Sequence, residues 1–161
     1  MSNKTYYTLV DSPLGPILLV GDGIHLTELN FQAGQRPTEI GADWQQDDAP
    51  FAGAIAQLRA YFSGELQMFD LPLQPKGTLF QQQVWQQLQA IPYGQTVAYG
   101  ELAQRLGKPT AARAVGGANG ANPIPLIIPC HRVIGSNGSL TGYGAGLPIK
   151  EALLAHERSH C

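Results

Sequence analysis

The chain has 161 residues, 43% of them hydrophobic, so an ordinary buried core is available to it without metal or disulfide staples. Its only cysteines, Cys130 and Cys161, exclude a disulfide framework, a four-cysteine zinc site and the paired cysteines of a zinc finger. The net charge of −2 hides an asymmetry: residues 1–75 carry three basic against nine acidic groups (net −6), and residues 76–161 carry seven against three (net +4). Such a division points the second half toward a polyanion, with two halves of ordinary composition as the plainer alternative. Met1-Ser2-Asn3-Lys4 leads into strand-like sequence with no long apolar run, so neither a signal peptide nor a membrane span is expected. With so few cysteines, the expected setting is reducing and intracellular, most simply the cytoplasm.

Tyr6–Val10 is aromatic and β-branched and reads as a strand. Asp11-Ser12-Pro13-Leu14-Gly15-Pro16 is a turn, Ile17–Val20 a second strand, Gly21-Asp22-Gly23 a turn and Ile24–Phe31 a third strand, together an antiparallel meander. Gln32–Ala49 is polar and broken by Gly34, Pro37 and Gly41, so it reads as loop with room for a short helix. Pro50 then opens a helix with Phe51, Ile55, Leu58 and Phe62 on one face and Gly64 past its end. Met68–Leu73 reads as a returning strand, and Gln74-Pro75-Lys76-Gly77 as the boundary between domains 1–75 and 76–161. His25 stands alone and no catalytic cluster stands out before the boundary, so the first half reads as scaffold.

Thr78-Leu79-Phe80-Gln81 has the form of a capping box. Phe80, Val84, Leu88 and Ile91 then lie on one helical face, and Pro92-Tyr93-Gly94 ends the run. A helix from Tyr99 to Leu106, closed by Gly107 and Pro109, and another over Ala111–Ala121 make a helix-turn-helix candidate. The second of these carries Gly116, Gly117 and Gly120 among alanines, with Arg113 its only charge. Each glycine costs a helix about 0.5–1 kcal/mol relative to alanine, so three of them imply close approach, either to a neighbouring helix or to a nucleic acid. Gly135-Ser136-Asn137-Gly138 is a hairpin-type turn, consistent with a small wing. Gly142-Tyr143-Gly144-Ala145-Gly146 lacks the lysine and hydroxyl residue of a phosphate-binding loop, and a last helix spans Pro148–Arg158.

The chemistry concentrates in Ile128-Pro129-Cys130-His131-Arg132-Val133-Ile134-Gly135. A thiolate is the nucleophilic form of cysteine, and a neighbouring base or cation raises its population; here an imidazole and a guanidinium follow the thiol directly. A buried cysteine is by default an inert small hydrophobe, so the dipeptide alone decides little. On an extended strand the two side chains would point to opposite faces, so a bridging water or a local bend is needed to couple them.

Pro129-Cys130-His131-Arg132, preceded by Arg113-Ala114-Val115-Gly116 and Asn122-Pro123 and followed by Gly142-Tyr143 and Leu153-Leu154-Ala155-His156-Glu157, closely resembles the O6-alkylguanine-DNA alkyltransferase family. Upstream, Asp11-Ser12-Pro13-Leu14-Gly15 and Tyr61-Phe62-Ser63-Gly64 are similar to it more loosely. The resemblance implies an N-terminal α/β domain with a ribonuclease H-like sheet and a C-terminal winged-helix domain. It implies a stand-alone DNA repair protein that flips out O6-alkylguanine, with O4-alkylthymine as a second substrate. The alkyl group passes irreversibly to Cys130, with His131 the base acting through water and Glu157 orienting the imidazole.

Tyr99 would then be the hydroxyl donor to the purine, and Asn122 the hinge before the cysteine turn. Arg113 would fill the gap left by the flipped nucleotide, and Ala112, Ala114, Gly116, Gly117 and Tyr99 would face the DNA minor groove. Pro125, Val133, Tyr143 and the Gly144 amide would line the base pocket. No cofactor or metal is called for, and the chain is expected to act as a monomer on double-stranded DNA. A zinc site of the kind some family members have needs cysteines this chain lacks. Two alternatives compete. A non-catalytic winged-helix sensor of alkylated DNA would have the acceptor cysteine replaced, and Cys130 is present. A Cys-His acyl-transfer enzyme leaves the Arg113 helix and the basic second half without a purpose.

Overall fold

The first elements follow from alternation and turn chemistry. Tyr6–Val10 (β1), Ile17–Gly21 (β2) and Leu26–Phe31 (β3) form the expected antiparallel meander, with Tyr7 opposite Val20 and Leu19 opposite Leu29. The β1–β2 turn is closed by the Ser12 hydroxyl, which donates to the Gly15 carbonyl at 2.6 Å, and Gly15 takes the left-handed φ of +92° that suits glycine. The computed structural model describes residues 4–135, 143 and 145–161. A fourth strand, Gln45–Gln46 (β4), lies parallel beside β1, giving the order β3-β2-β1-β4. It falls where the sequence reads as loop, because two exposed glutamines carry no period.

After a 3-10 turn at Ala49–Phe51, helix Ala52–Phe62 (α1) packs on the sheet. Its core face is Phe51, Ala54, Leu58 and Tyr61, while Ile55 and Phe62 are only half-buried, so the face is turned from the expected one toward Tyr61. Met68–Leu73 does not return as a strand. Only Leu73 bridges to Leu26, and Met68 is 80% exposed. The Gln57 amide holds this stretch by pairing with both backbone groups of Asp70, each at 2.9 Å.

Helix Leu79–Leu88 (α2) begins with the anticipated capping box: the Gln81 amide donates to the Thr78 hydroxyl, and the Gln81 side chain accepts from the Thr78 amide. It buries Val84, Trp85 and Leu88, and the Trp85 indole donates to the Ala118 carbonyl at 2.8 Å. A short strand Val97–Ala98 (β5) pairs in parallel with Val133–Ile134 (β6). Between them lie helices Tyr99–Arg105 (α3) and Ala112–Gly120 (α4), packed together as a helix-turn-helix pair with Gly107 at φ +73°. Helix Leu147–Ser159 (α5) closes the chain. The predicted hairpin turn reaches residues 136–138, which lie outside the described residues.

Apolar side chains from both halves meet in one cluster, from Ile17, Phe31 and Tyr61 to Leu88, Ile128 and Leu153. The Leu29 amide of β3 also donates to the Pro123 carbonyl at 2.9 Å. The junction between halves is therefore core, and the candidate site sits on it. No helix among the described residues is long and apolar enough to cross a membrane.

Candidate active site

The backbone after α4 is shaped by one side chain. Asn122 accepts from the Ile124 amide at 3.0 Å and donates to the Ile128 carbonyl at 2.8 Å, stapling both ends of a tight loop. Inside it Leu126 has φ +75°, a left-handed conformation that costs a non-glycine residue about 1–3 kcal/mol unless its surroundings over-determine it. Here they do: Ile128 donates to the Ile124 carbonyl at 3.0 Å, and the Leu126 side chain is buried. The loop delivers Cys130-His131-Arg132 as a 3-10 turn, with the Cys130 amide on the Ile128 carbonyl at 2.7 Å. The cysteine thus lies on a bend, so the opposite-face rule of an extended strand does not apply.

Cys130 and His131 are both buried. Burial pushes the Cys130 thiol up to about 11, against the Asn122 side chain, the Lys150 charge and the Tyr143 hydroxyl, which favour the thiolate. The resting side chain is a thiol. Burial also lowers His131 below the ordinary histidine value, against the pull of Glu157, so the imidazole is neutral at pH 7. Its Nε2 lies 2.7 Å from Glu157 Oε2. A neutral ring facing a carboxylate carries its proton on that nitrogen, which leaves Nδ1 as the basic lone pair. Nδ1 is buried and has no protein hydrogen-bond partner among the described residues.

Glu157 is the most heavily hydrogen-bonded group of the site. It accepts from the Tyr61 hydroxyl (2.7 Å), His131, Arg132 Nε (2.8 Å), a second Arg132 nitrogen (3.0 Å) and the Gly94 amide (3.3 Å). Burial works against its charge, but the bonds from His131 and Arg132 outweigh that and hold the carboxyl well below the usual range. A carboxylate so fully engaged orients the imidazole and balances an imidazolium without taking the proton. Arg132 also donates to the Ile91 carbonyl at 2.7 Å. Its guanidinium is committed to Glu157 and the backbone, so the cation that bears on the thiol is Lys150, buried on α5 and donating to the Val133 carbonyl at 2.6 Å.

Cys130 opens into a pocket of about 180 Å³ whose walls include Asn122, Pro125 and Tyr143 from the second half. Leu29, Phe31 and Arg36 from the first half complete it. The first half is therefore more than scaffold: it supplies a pocket wall and, in Tyr61, a ligand of the Glu157 carboxylate. Val133 is not a wall of this pocket; it is fully buried in the β5–β6 pair. Tyr99 opens α3 outside the pocket, with its ring 3.8 Å from where a Cβ on Gly116 would stand. Gly144 lies outside the described residues. Tyr61 and Lys150 escaped the sequence reading, since a tyrosine inside an apolar helical run and a lysine in a final helix look like core edge and solvated surface. The Glu157 spacing from Tyr61, 96 residues, carries no local signal.

On α4, Val115, Ala118 and Asn119 face inward, whereas Arg113, Ala114, Gly117 and Gly120 are exposed and Ala112 is half-buried. An added Cβ at Gly117 or Gly120 would meet nothing within 4 Å, so packing inside the protein does not explain these two glycines. The basic excess of the second half at the surface is +3 and not +4, because Arg132 and Lys150 are interior together with Glu157, which leaves five basic against two acidic groups outside.

The family profile for the DNA-binding domain of 6-O-methylguanine DNA methyltransferase matches residues 79–159, and that for its ribonuclease-like domain matches residues 5–75. The chain belongs to this family. The methylated-DNA–protein-cysteine methyltransferase of Methanosarcina acetivorans is 53% identical over 154 residues, covering 96% of this chain and 99% of the relative. The crystal structure of the Mycobacterium tuberculosis O6-methylguanine methyltransferase superposes with a TM-score of 0.90 at 51% identity, covering 98% of this chain and 94% of that one. That of the same mycobacterial protein in complex with DNA gives 0.88 at 52% identity over 97% and 94%. The two-domain order, ribonuclease-like then DNA-binding, is that of the family.

Proposed function

We propose that this protein repairs DNA by moving the alkyl group of O6-alkylguanine onto its own Cys130, once per molecule. DNA repair by alkyl transfer to a protein cysteine is the activity of the methylated-DNA–protein-cysteine methyltransferases that it resembles from end to end. The observation that carries the assignment to Cys130 is the thiol itself, buried in the wall of a pocket and next in sequence to a neutral imidazole locked on Glu157.

The chemistry balances with this chain's own groups. His131 Nδ1 takes the thiol proton, through a water, as sulfur bonds to the alkyl carbon and the carbon–O6 bond breaks. The departing electron pair is taken up by the purine, which takes a proton from solvent as the imidazolium returns one to it, and guanine leaves with its ring accepting a hydrogen bond from the Tyr99 hydroxyl once the DNA is bound. A thioether is not cleaved by water, unlike the thioester of a cysteine hydrolase, so the molecule is spent. The Asn122 staple keeps the cysteine turn in place, and Glu157 stabilises the imidazolium. Pro125, Tyr143 and the Gly144 amide would hold the flipped base.

An atom inside the base stack cannot be reached, so the nucleotide must be turned out. The helix-turn-helix with its wing would sit in the minor groove through Ala112, Ala114, Gly116, Gly117 and Tyr99, with Arg113 filling the vacated space. The open space around Gly117 and Gly120 supports that approach. The division near residue 75, O4-alkylthymine as second substrate, action as a monomer and an intracellular place beside DNA belong to the same proposal. The test is transfer of methyl from an O6-methylguanine duplex to wild type, Cys130→Ala and Arg113→Ala. Cys130→Ala should accept none. Arg113→Ala should lose far more rate on duplex than on a free O6-substituted guanine, and equal losses would remove its finger role.

A further inference from the structure

The first-half loop 32–38 is built more firmly than its polar sequence suggests. Three side chains of β3 and its end hold it. The Asn30 amide donates to the Arg36 carbonyl at 2.9 Å, and its oxygen accepts from the Thr38 amide at 3.1 Å. The Gln32 amide pairs with both backbone groups of Thr38, at 3.0 and 3.1 Å, and the Thr38 hydroxyl donates to Glu28. The loop so fixed then meets the other half beside the pocket: the Gln35 amide donates to the Ala145 carbonyl at 3.1 Å.

At the same contact the backbones are too close for any side chain. A Cβ on Gly34 would stand 2.6 Å from the Ala145 carbonyl oxygen and 3.1 Å from that of Phe31. On the other side, Gly146, at φ +109°, would bring a Cβ to 3.2 Å from Gln35 Cγ. Ala145 is a wall of the Cys130 pocket, as are Asn30, Phe31 and Arg36 at the loop's ends. A hydrogen bond, the side-chain-free approach at Gly34 and the left-handed turn at Gly146 thus set the gap between opposing walls.

We infer that the Gly34–Gln35 contact with Ala145 limits the bulk of the alkyl group the pocket admits, which makes a first-half loop a specificity element of the second-half chemistry. The inference rests on the alkyl-transfer reading above. Glycine at position 34 is not needed for its φ, which is not positive, so an alanine there acts through the clash alone. Carbonyl and Cβ cannot share that space, and the two walls must part.

The experiment compares single-turnover rates on two duplexes of one sequence, carrying O6-methylguanine or O6-benzylguanine, for wild type, Gly34→Ala and Thr38→Val. Because the DNA is the same, contacts with its backbone cancel in the ratio. Gly34→Ala should raise the benzyl-to-methyl ratio about tenfold, the scale at which an apolar pocket discriminates one added group. Thr38→Val, which keeps the shape and removes the hydroxyl bond to Glu28, should raise it in the same sense, and so covers the case in which Gly34→Ala does not fold. A ratio in both variants that stays within about twofold of wild type, or falls, overturns the inference. Failure of the alkyl-transfer reading would show separately, as a wild type that accepts neither group.

Discussion

His131→Gln isolates the base from everything else it does. A glutamine amide can still donate to Glu157 across the 2.7 Å contact, so the carboxylate keeps a partner, but the variant has no basic nitrogen to take the thiol proton. With Cys130 pushed up to about 11, unassisted ionisation at pH 7 leaves on the order of one thiolate in 10⁴, about 5 kcal/mol uphill. General-base assistance offsets much of that, and its removal typically costs about 10²–10⁴ in rate. The pH profile carries the sharper signature. In the wild type the acceptor Nδ1 is free at any pH above the lowered pKa of His131, which lies under 6.5, and the thiol keeps its proton until about 11. The single-turnover rate should therefore be flat between about pH 7 and 9. In His131→Gln only the spontaneous thiolate reacts, and the rate should climb about tenfold per pH unit over the same range. Timed quench of labelled methyl transfer from duplex to protein measures both. A wild-type rate that itself climbs tenfold per unit, or a variant as fast and as flat as wild type, would refute the base assignment.

Tyr61→Phe removes a hydroxyl that donates to a buried carboxylate at 2.7 Å. Hydrogen bonds to charged groups are worth about 1.5–3 kcal/mol, so calorimetry should find Tm lower by about 3–12 °C in a chain of this size, and a shift under about 1 °C would contradict the role. Acid should be destabilising. Glu157 is held below its ordinary 4.5 and His131 below 6.5, so on acidification the unfolded chain protonates first at both sites. Stability from His131 is present above pH 6.5 and declines below it; that from Glu157 is present above 4.5 and declines as pH falls toward its folded pKa. A Tm unchanged from about pH 7 to 4 would contradict both. Gly117→Ala meets no atom within 4 Å and should gain about 1 kcal/mol of helix stability while weakening duplex binding. Unchanged DNA affinity by fluorescence anisotropy would remove α4 from close contact with the groove.

Local signals in the sequence located the meander, the capping box at Thr78 and the helix-turn-helix spacing, because each depends on residues within one or two turns of each other. They failed where pairing is short or distant. β4 has two residues and is defined by its partner β1, and Met68–Leu73 is apolar enough for a strand but is held by the Gln57 side chain instead. The Cys-His-Arg stretch was legible as chemistry, yet its wiring was not. Arg132 turns away to Glu157 and Ile91, and the cation that bears on the thiol arrives on α5 as Lys150. The pocket wall from β3 and the loop after it was illegible for the same reason, since its contact with Ala145 spans more than a hundred residues of sequence and leaves only isolated glycines as a trace.

The central claim, that Cys130 is the acceptor, is tested most directly by peptide mass spectrometry after incubation with excess duplex containing O6-methylguanine. One methyl per chain on the peptide holding Cys130, with guanine restored in the DNA, is the result expected. Methyl found on Cys161, or an unmodified protein that still binds the lesion, would contradict it.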